Sequence, residues 1–201
     1  MDPTINEVRK IAVVGAGVMG HGIAQACAKA GYQVVLIDTS EALLSNAMSM
    51  IKRGPFGLMK LVERGKIEND EVDRIINRID CVTDLAKGAK DADVVVESVS
   101  ENLELKKQIH RQLDELSTAR TVFASNTSTM LITDLASATK RPDKFIGMHW
   151  FNPAQVQKLI EVIRGISTSD ETFDLIVELS KKLGKVPIEA KDGPGFLTSR
   201  F

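Results

Sequence analysis

One of the three histidines in the chain stands where a side chain could move a proton. His149 lies in the stretch GMHWFNP, where an apolar run of strand type ends. Open α/β sheets place ligands at the carboxyl ends of their strands, and an imidazole titrates near neutral pH. His149 is therefore a candidate general acid or base, and a core histidine is the alternative as long as no partner is in view. Of the other two, His110 lies on a charged helix and is expected to face solvent, and His21 is expected to be structural.

A possible partner for His149 is Glu161. The stretch QKLIEVIRG has the pattern of a strand in which this glutamate is surrounded by leucine, isoleucine and valine. A carboxylate in such a run is costly unless it is paired. If this strand lies beside the one that ends in His149, Glu161 can accept the imidazole N–H, fix the tautomer and stabilise the imidazolium. A salt bridge from Glu161 to Lys158 or Arg164 at a sheet edge is an equally good interpretation of the sequence.

Polar side chains also end two other predicted strands. The stretch FASNTST places a run of small polar residues, from Ser125 to Ser128, at the carboxyl edge of the sheet. These residues can donate hydrogen bonds to a substrate oxygen, or they can cap the helix that follows. The stretch VESVSEN ends the preceding strand and contains Glu101, for which helix capping is again the alternative to a role in the site.

A glycine fingerprint of the kind that binds dinucleotides lies near the start of the chain. The stretch GAGVMG has the spacing G-x-G-x-x-G, follows a predicted strand and opens a predicted helix. Its members are Gly15, Gly17, Val18, Met19 and Gly20. The next strand ends in Asp38, whose carboxylate can accept hydrogen bonds from both ribose hydroxyls and would repel a 2′-phosphate. The combination predicts an NAD site, for which the protein must add a base such as His149, and a structural turn with a surface aspartate is the alternative.

The elements that must position these residues alternate between strands and helices. Strands are predicted at KIAVVG, YQVVLID, RIDCVTD, ADVVVESV, TVFASN, FIGMHW, KLIEVIRG and KVPIEAK. Helical segments separate most of them, which predicts an α/β fold with a doubly wound, mostly parallel sheet of the Rossmann type. From residue 41 to 77 the pattern is helical and is interrupted at KRGPFG. Because Pro55 cannot continue a regular helix, two helices in a projecting hairpin are expected there.

Composition limits the classes of function. The 201 residues carry 26 Lys and Arg against 27 Asp and Glu without a long basic run, which argues against nucleic-acid binding. Cys27 and Cys81 have no metal-ligand neighbours in the sequence, so no metal site or disulfide framework is predicted and a cytoplasmic location fits best. No apolar run approaches the length of a membrane span, and the first residues lack the apolar core of a signal peptide.

Several stretches, in this order, resemble those of the L-3-hydroxyacyl-CoA dehydrogenases, which are NAD-dependent enzymes of fatty-acid oxidation and butyryl metabolism. The matching stretches are VVGAGVMGHGIAQ, DADVVVESVSENLELKK, FASNTST, GMHWFNP, KLIEVIRG and KDGPGFLTSR. They cover almost the whole chain from about residue 10 onward. The resemblance implies reversible oxidation of an L-3-hydroxyacyl-CoA to a 3-ketoacyl-CoA with NAD.

The resemblance also implies roles for individual residues. It implies that His149 and Glu161 form the acid/base pair and that Ser128 hydrogen-bonds the substrate oxygen. Near the cofactor, beside the fingerprint residues, it places Asp38, Glu101, Lys106, Ser128 and Asn152. It suggests that the projecting helices help to hold coenzyme A, with Lys52 and Lys60 as possible partners of its phosphates.

The chain departs from the family pattern in two places. Ser199 stands where the family usually has an asparagine that helps to hold the substrate, and it can still donate a hydrogen bond with a shorter reach. The family also continues for roughly a hundred residues of helices, the size of a small domain, which cover the active site and form a homodimer. Residues 1–190 are therefore expected to form the NAD-binding domain, and residues 191–201 a linker and the start of a helical domain whose remainder is absent.

Two alternative functions stay open at this point. One is dehydrogenation of a free hydroxy acid rather than a coenzyme A thioester. The other is NAD binding without turnover, because the substrate cleft lacks its helical wall.

Overall fold

The computed structural model describes residues 4–198, which form an eight-stranded sheet with helices on both faces. The strands are β1 (Lys10–Val14), β2 (Gln33–Ile37), β3 (Ile79–Val82), β4 (Val94–Glu97), β5 (Val122–Ser125), β6 (Phe145–Trp150), β7 (Leu159–Arg164) and β8 (Val186–Lys191). The helices are α1 (Val18–Lys29), α2 (Glu41–Arg53), α3 (Leu58–Glu63), α4 (Asn69–Ile76), α5 (Leu85–Ala89), α6 (Leu103–Leu116), α7 (Ile132–Ala136) and α8 (Asp170–Lys182). No helix in this part of the chain is long and apolar enough to cross a membrane.

The strand order across the sheet is β3-β2-β1-β4-β5-β6-β7-β8. β7 runs antiparallel to β6, and every other pair of neighbouring strands is parallel. The predicted doubly wound, mostly parallel sheet is therefore confirmed. The strand order reverses between β1 and β4, and sheets of this kind bind ligands in the crevice at the carboxyl ends of the strands beside that point.

The inner strands are apolar on both sides because helices cover both faces of the sheet. β4 contains three consecutive valines, and all four of its residues are buried. One apolar core joins the sheet to α1, to the helices α2–α4 and to α8. A second core joins the opposite face to α5, α6 and α7. The strand ends that carry the candidate site residues are thereby fixed from both sides.

The helical region from residue 41 to 77 differs from the prediction in two respects. It contains three helices rather than two, because the chain breaks around Pro55 as expected and breaks again after α3 at Gly65, whose φ is +62°. It also packs on α1 rather than projecting, since Leu44 and Ile51 are buried in the same core as that helix. Burial of the apolar faces therefore holds this region on α1 although the proline interrupts the helix.

The helix α6 buries polar side chains on its inner face. Lys106 and His110 are fully buried there, together with Leu113. The expectation that His110 faces solvent is therefore wrong. Its ring packs edge-on against Phe145, with the ring centroids 4.6 Å apart, and its Nε2 atom lies 3.4 Å from Glu97 Oε2. A prediction from periodicity treats histidine as a polar residue of the solvent side. The position of His110 depends instead on its contacts with other elements of the fold.

Candidate active site

The antiparallel pairing of β6 and β7 places His149 directly opposite Glu161. The His149 Nδ1 and Glu161 Oε2 atoms are 2.6 Å apart, and Glu161 is fully buried while His149 is 5% exposed. Because a carboxylate only accepts hydrogen bonds, Nδ1 donates in this pair, and Nε2 is the ring nitrogen that does not contact Glu161. The geometry therefore leaves Nε2 as the nitrogen that can take up a proton.

The second carboxylate oxygen of Glu161 is held by the backbone. Oε1 accepts the N–H groups of Leu197 and Thr198, each at 3.0 Å. In the described part of the chain the alternative salt bridge at a sheet edge is not observed, because Arg164 pairs with Asp170 at 2.7 Å. Both oxygens of Glu161 are thus committed, one to the imidazole and one to the backbone amides.

Ser128 reaches the other ring nitrogen of His149 from the loop that follows β5. Its Oγ atom lies 3.1 Å from Nε2 and is placed to donate to it. Asn126 joins the ends of β5 and β6, since its Oδ1 atom accepts the backbone N–H of Trp150 at 2.9 Å. A substrate oxygen between Ser128 and His149 would face a hydrogen-bond donor and a base at the same time.

Glu101 holds the loop that carries Ser128. Its Oε1 atom accepts the backbone N–H of Ser128 at 2.9 Å and also accepts the hydroxyl of Thr127. Partial burial raises the pKa of Glu101, but the hydrogen bonds from Thr127 and Ser128 and the charge of Lys106 outweigh it, and the net pKa lies below the usual value. Helix capping, the alternative role of Glu101, falls to Asn102 instead.

Lys106, which was expected near the cofactor, does not line a cleft. Its Nζ atom is fully buried, 2.6 Å from Glu97 Oε1 and 3.5 Å from Glu101 Oε2. In this structure its ammonium group therefore contacts Glu97 and Glu101, and a contact between Lys106 and the cofactor stays a prediction. Sequence reasoning did not identify Glu97 as the buried partner of Lys106. The signal that was available is a carboxylate at the end of the run VVVE, in a strand predicted to be buried on both faces.

The glycine turn has the backbone that its spacing predicts. Gly15 has a φ of +100°, and a Cβ atom on Gly20 would lie 1.7 Å from the Gly15 carbonyl oxygen, so a side chain does not fit there. A Cβ atom on Gly17 would meet nothing within 4 Å, which leaves room for a pyrophosphate beside the first turn of α1. His21 has the expected structural contact, with its Nδ1 atom 2.8 Å from the Gly17 carbonyl oxygen.

Asp38 lies just after β2, beside the glycine turn. Its carboxylate accepts the N–H groups of Ala16 and Thr39, each at 2.7 Å. It borders a mostly apolar cavity of about 260 Å³, which Ile37 and Leu105 help to line. An apolar cavity bordered by a carboxylate suits an adenosine group, with the carboxylate beside the ribose hydroxyls.

A second cleft of about 620 Å³ lies at the ends of β4, β5 and β6, and this volume is typical of small-molecule sites. It is lined by most of the residues predicted to contact cofactor or substrate, which are Gly17, Val18, Met19, Glu101, Ser128, His149 and Asn152. Val99 borders both this cleft and the cavity at Asp38, so the two are neighbours on the molecule. Ser199, the remaining predicted substrate residue, lies outside the described residues.

The two lysines suggested as partners of coenzyme A have acidic neighbours on the surface. The Lys60 Nζ atom lies 2.7 Å from Glu63 Oε2, and the Lys52 Nζ atom lies 3.9 Å from Asp73 Oδ1. Lys60 also borders a small groove together with Arg64. Exposed ion pairs of this kind are weak, so both ammonium groups remain available to a phosphate.

The glycine turn, the polar strand ends and the pair of His149 and Glu161 all lie in the part of the chain that matches one protein-family model. Residues 10–193 match the family model described as "3-hydroxyacyl-CoA dehydrogenase, NAD binding domain". The chain belongs to the 3-hydroxyacyl-CoA dehydrogenase family. Its cofactor is NAD, as the glycine turn and Asp38 predict.

Relatives from a human mitochondrion and from bacteria share this pattern. The chain is 41% identical over 196 residues to human mitochondrial hydroxyacyl-coenzyme A dehydrogenase, and the match covers 96% of this chain and 62% of the human protein. The crystal structure of (S)-3-hydroxybutyryl-CoA dehydrogenase from Ralstonia eutropha has a TM-score of 0.92 at 41% identity, and the match covers 96% of this chain and 67% of that one. The chain thus spans 62% to 67% of the length of these two relatives.

A second solved structure with the same fold is named for a different kind of compound. It is the NAD⁺-dependent 5-formyl-3-hydroxy-2-methylpyridine 4-carboxylic acid 5-dehydrogenase. Its TM-score is 0.83 at 34% identity, and the match covers 94% of this chain and 60% of that one. Solved structures with this fold are therefore named for more than one class of compound.

Proposed function

We propose that this chain forms the NAD-binding and acid/base part of an enzyme that reversibly oxidises an L-3-hydroxyacyl-CoA to a 3-ketoacyl-CoA, as in fatty-acid or butyryl-CoA metabolism. The observation that carries the proposal is the line of hydrogen bonds from Glu161 through His149 to Ser128. This line ends in the same cleft that the glycine turn borders. The family and the 3-hydroxybutyryl-CoA dehydrogenase relative support the substrate class.

In this mechanism His149 Nε2 takes the proton of the 3-hydroxyl group as C3 is oxidised. When bound, NAD accepts the hydride that leaves C3. Glu161 stabilises the imidazolium through the Nδ1–H bond, and the backbone amides on its other oxygen keep the carboxylate directed at the ring. Ser128 hydrogen-bonds the substrate oxygen and orients it. In the reverse direction His149 returns the proton to the 3-keto oxygen.

Replacing His149 by alanine tests the proposal. Acetoacetyl-CoA reduction by NADH should fall by about 10² to 10⁴, because this is the usual contribution of a general acid or base. NADH binding, followed by its fluorescence, should be nearly unchanged, since the ring contacts Glu161 and Ser128 rather than the glycine turn. The assay belongs in the longest form of the protein that can be produced, with the exposed Glu115→Gln as the control.

Turnover by His149→Ala equal to that of the Glu115→Gln control would remove the acid/base role from His149. Loss of both turnover and NADH binding would instead indicate damage to the cofactor site.

A second candidate function is dehydrogenation of a hydroxy acid that carries no coenzyme A. The pyridine carboxylic acid dehydrogenase with the same fold favours it. Comparing turnover of acetoacetyl-CoA with that of free acetoacetate separates the two functions. A chain that binds NADH but reduces neither compound would be a cofactor-binding module whose substrate cleft is incomplete.

A further inference from the structure

Glu97 is a fully buried carboxylate at the end of β4, and all four of its polar neighbours can donate hydrogen bonds. Its Oε1 atom accepts from Lys106 Nζ at 2.6 Å and from the Val99 N–H at 2.8 Å. Its Oε2 atom accepts from Ser125 Oγ at 2.7 Å and lies 3.4 Å from His110 Nε2. Burial raises the pKa of Glu97, but the hydrogen bond from His110 and the charge of Lys106 lower it to about 2, so the carboxylate is charged at neutral pH.

Lys106 connects this buried carboxylate to the cleft. Its ammonium group has no exposed surface and lies between Glu97 Oε1, at 2.6 Å, and Glu101 Oε2, at 3.5 Å. A buried ammonium needs acidic partners close by, because burial penalises an unpaired charge. Lys106 therefore fixes the distance between a carboxylate that is fully enclosed and one that borders the cleft.

Glu101 passes this constraint to the loop that bears Ser128. The oxygen that faces away from Lys106, Oε1, accepts the Thr127 hydroxyl and the Ser128 N–H, and it accepts the Thr129 hydroxyl at 3.2 Å. Three consecutive residues of the loop are thus bound to a single carboxylate oxygen. The position of the Ser128 Oγ atom, 3.1 Å from the His149 ring, depends on where that oxygen lies.

We propose that Glu97 is a positioning residue for the contact between Ser128 and His149, and that it acts through Lys106 and Glu101. Without the charge of Glu97, the Lys106 ammonium loses the anchor that fixes it beside Glu101. The Glu101 carboxylate is then no longer held in place, and the Ser128 Oγ atom leaves the His149 ring. The catalytic consequence rests on the proposed function, whereas the contacts themselves do not.

The nitrogen-15 chemical shifts of the His149 ring report this contact whether or not the chain is active. Ser128→Ala defines the shift of Nε2 without its hydrogen-bond donor. Glu97→Gln keeps the shape of the side chain and removes its charge, and it should move the Nε2 shift most of the way to the Ser128→Ala value. The matched control is Glu115→Gln on the exposed side of α6, which should leave the shift where it is in the parent chain.

A second variant covers the possibility that an unpaired Lys106 unfolds the chain. Glu97→Gln combined with Lys106→Met removes both charges, so no buried ion is left without a partner. Glu101 then has no cationic partner, and the Nε2 shift should again approach the Ser128→Ala value. Where turnover is measurable, kcat for acetoacetyl-CoA should fall by up to about 10², the cost of a small misplacement of a catalytic group, while the Kd of NADH changes little.

A folded variant with the parental Nε2 shift would overturn the positioning role. Failure of both variants to fold, judged by circular dichroism, would also overturn it and make Glu97 a residue of the folding core alone. Full turnover by His149→Ala together with a displaced Nε2 shift in Glu97→Gln would keep the positioning role while removing the proposed function.

Discussion

Two carboxylates, Glu161 and Glu97, are fully buried close to the cleft, yet they do different things. Glu161 is hydrogen-bonded to a histidine whose other ring nitrogen reaches the cleft through Ser128. Glu97 is paired with Lys106, whose side chain has no exposed surface at all. Burial and pairing are common to both. What separates them is whether the partner borders the cleft. His149 lines it and Lys106 is fully buried, so only the first pair is placed for the proton transfer that we propose.

Replacing Glu161 by glutamine disrupts the pair of Glu161 and His149, and we expect it to have the largest effect on kcat. Glutamine has no charge to stabilise the imidazolium, and its amide can turn the ring to the wrong tautomer, so kcat should fall by about 10³ to 10⁴. NADH binding should remain, because Glu161 does not border either cavity. Steady-state kinetics with acetoacetyl-CoA and a fluorescence titration with NADH check the two parts. A kcat close to that of the parent chain would reduce Glu161 to a packing residue.

Replacing Glu97 by glutamine should instead appear as a change in acid stability. Its pKa is about 2 in the fold against an ordinary value of 4.5, so the folded chain binds fewer protons than the unfolded chain between these values. A lowered carboxyl pKa gives stability that is present above pH 4.5 and is lost as the pH falls toward 2. The difference corresponds to about 3 kcal/mol in the free energy of unfolding.

The parent chain should therefore lose more of its unfolding free energy than Glu97→Gln as the pH falls below 4.5. Urea unfolding curves at a series of pH values, down to the lowest at which the chain folds, provide the measurement. Parallel losses in the parent chain and in Glu97→Gln would mean that Glu97 does not keep its charge in the fold.

His110, which lies beside Glu97, can be compared with His149, which lies beside Glu161. Replacing His110 should have a smaller effect. The Nδ1 atom of His110 is buried and has no hydrogen-bond partner in the described part of the chain, and the ring packs near Phe123 and Phe145. His110→Phe fills similar space and removes an unsatisfied polar atom, at the cost of one long contact to Glu97. The free energy of unfolding should change by about 1 kcal/mol or less, as for volume-conserving core changes.

Turnover by His110→Phe should stay at the parental level, in contrast to the loss expected for His149→Ala. A kcat lowered as much as in His149→Ala would show that His110 and Glu97 take part in the chemistry as well.

The parts of the site that local sequence decides were predictable. The glycine turn was predicted because its spacing reflects contacts between Gly15 and Gly20 that no side chain permits. The contact between His149 and Glu161 could be anticipated as one of two possibilities, because a carboxylate in an apolar strand requires a partner. The sequence could not choose between the histidine and a salt bridge, since that choice depends on which strand becomes the neighbour of β7.

The parts that depend on packing between distant elements were not predictable. His110 and Lys106 lie on a helix rich in charged residues, and apolar periodicity assigns charged and polar residues to the solvent side. Only the placement of α6 against the end of β4 shows that Glu97 provides partners for both. The break at Gly65 was missed for a different reason, because a single glycine inside a helical pattern is often tolerated.

The contact between His149 and Glu161 depends on the antiparallel register of β6 and β7, because side chains alternate between the two faces of a strand. A slip of one residue would bring Ile160 or Val162 opposite His149 and would turn Glu161 toward the other face of the sheet. Ile160 and Val162 belong to the apolar core on the opposite face, so the same slip would move both side chains out of that core. The apolar residues on one face therefore fix the register that brings Glu161 to His149 on the other, and a register error would disturb the core together with this pair.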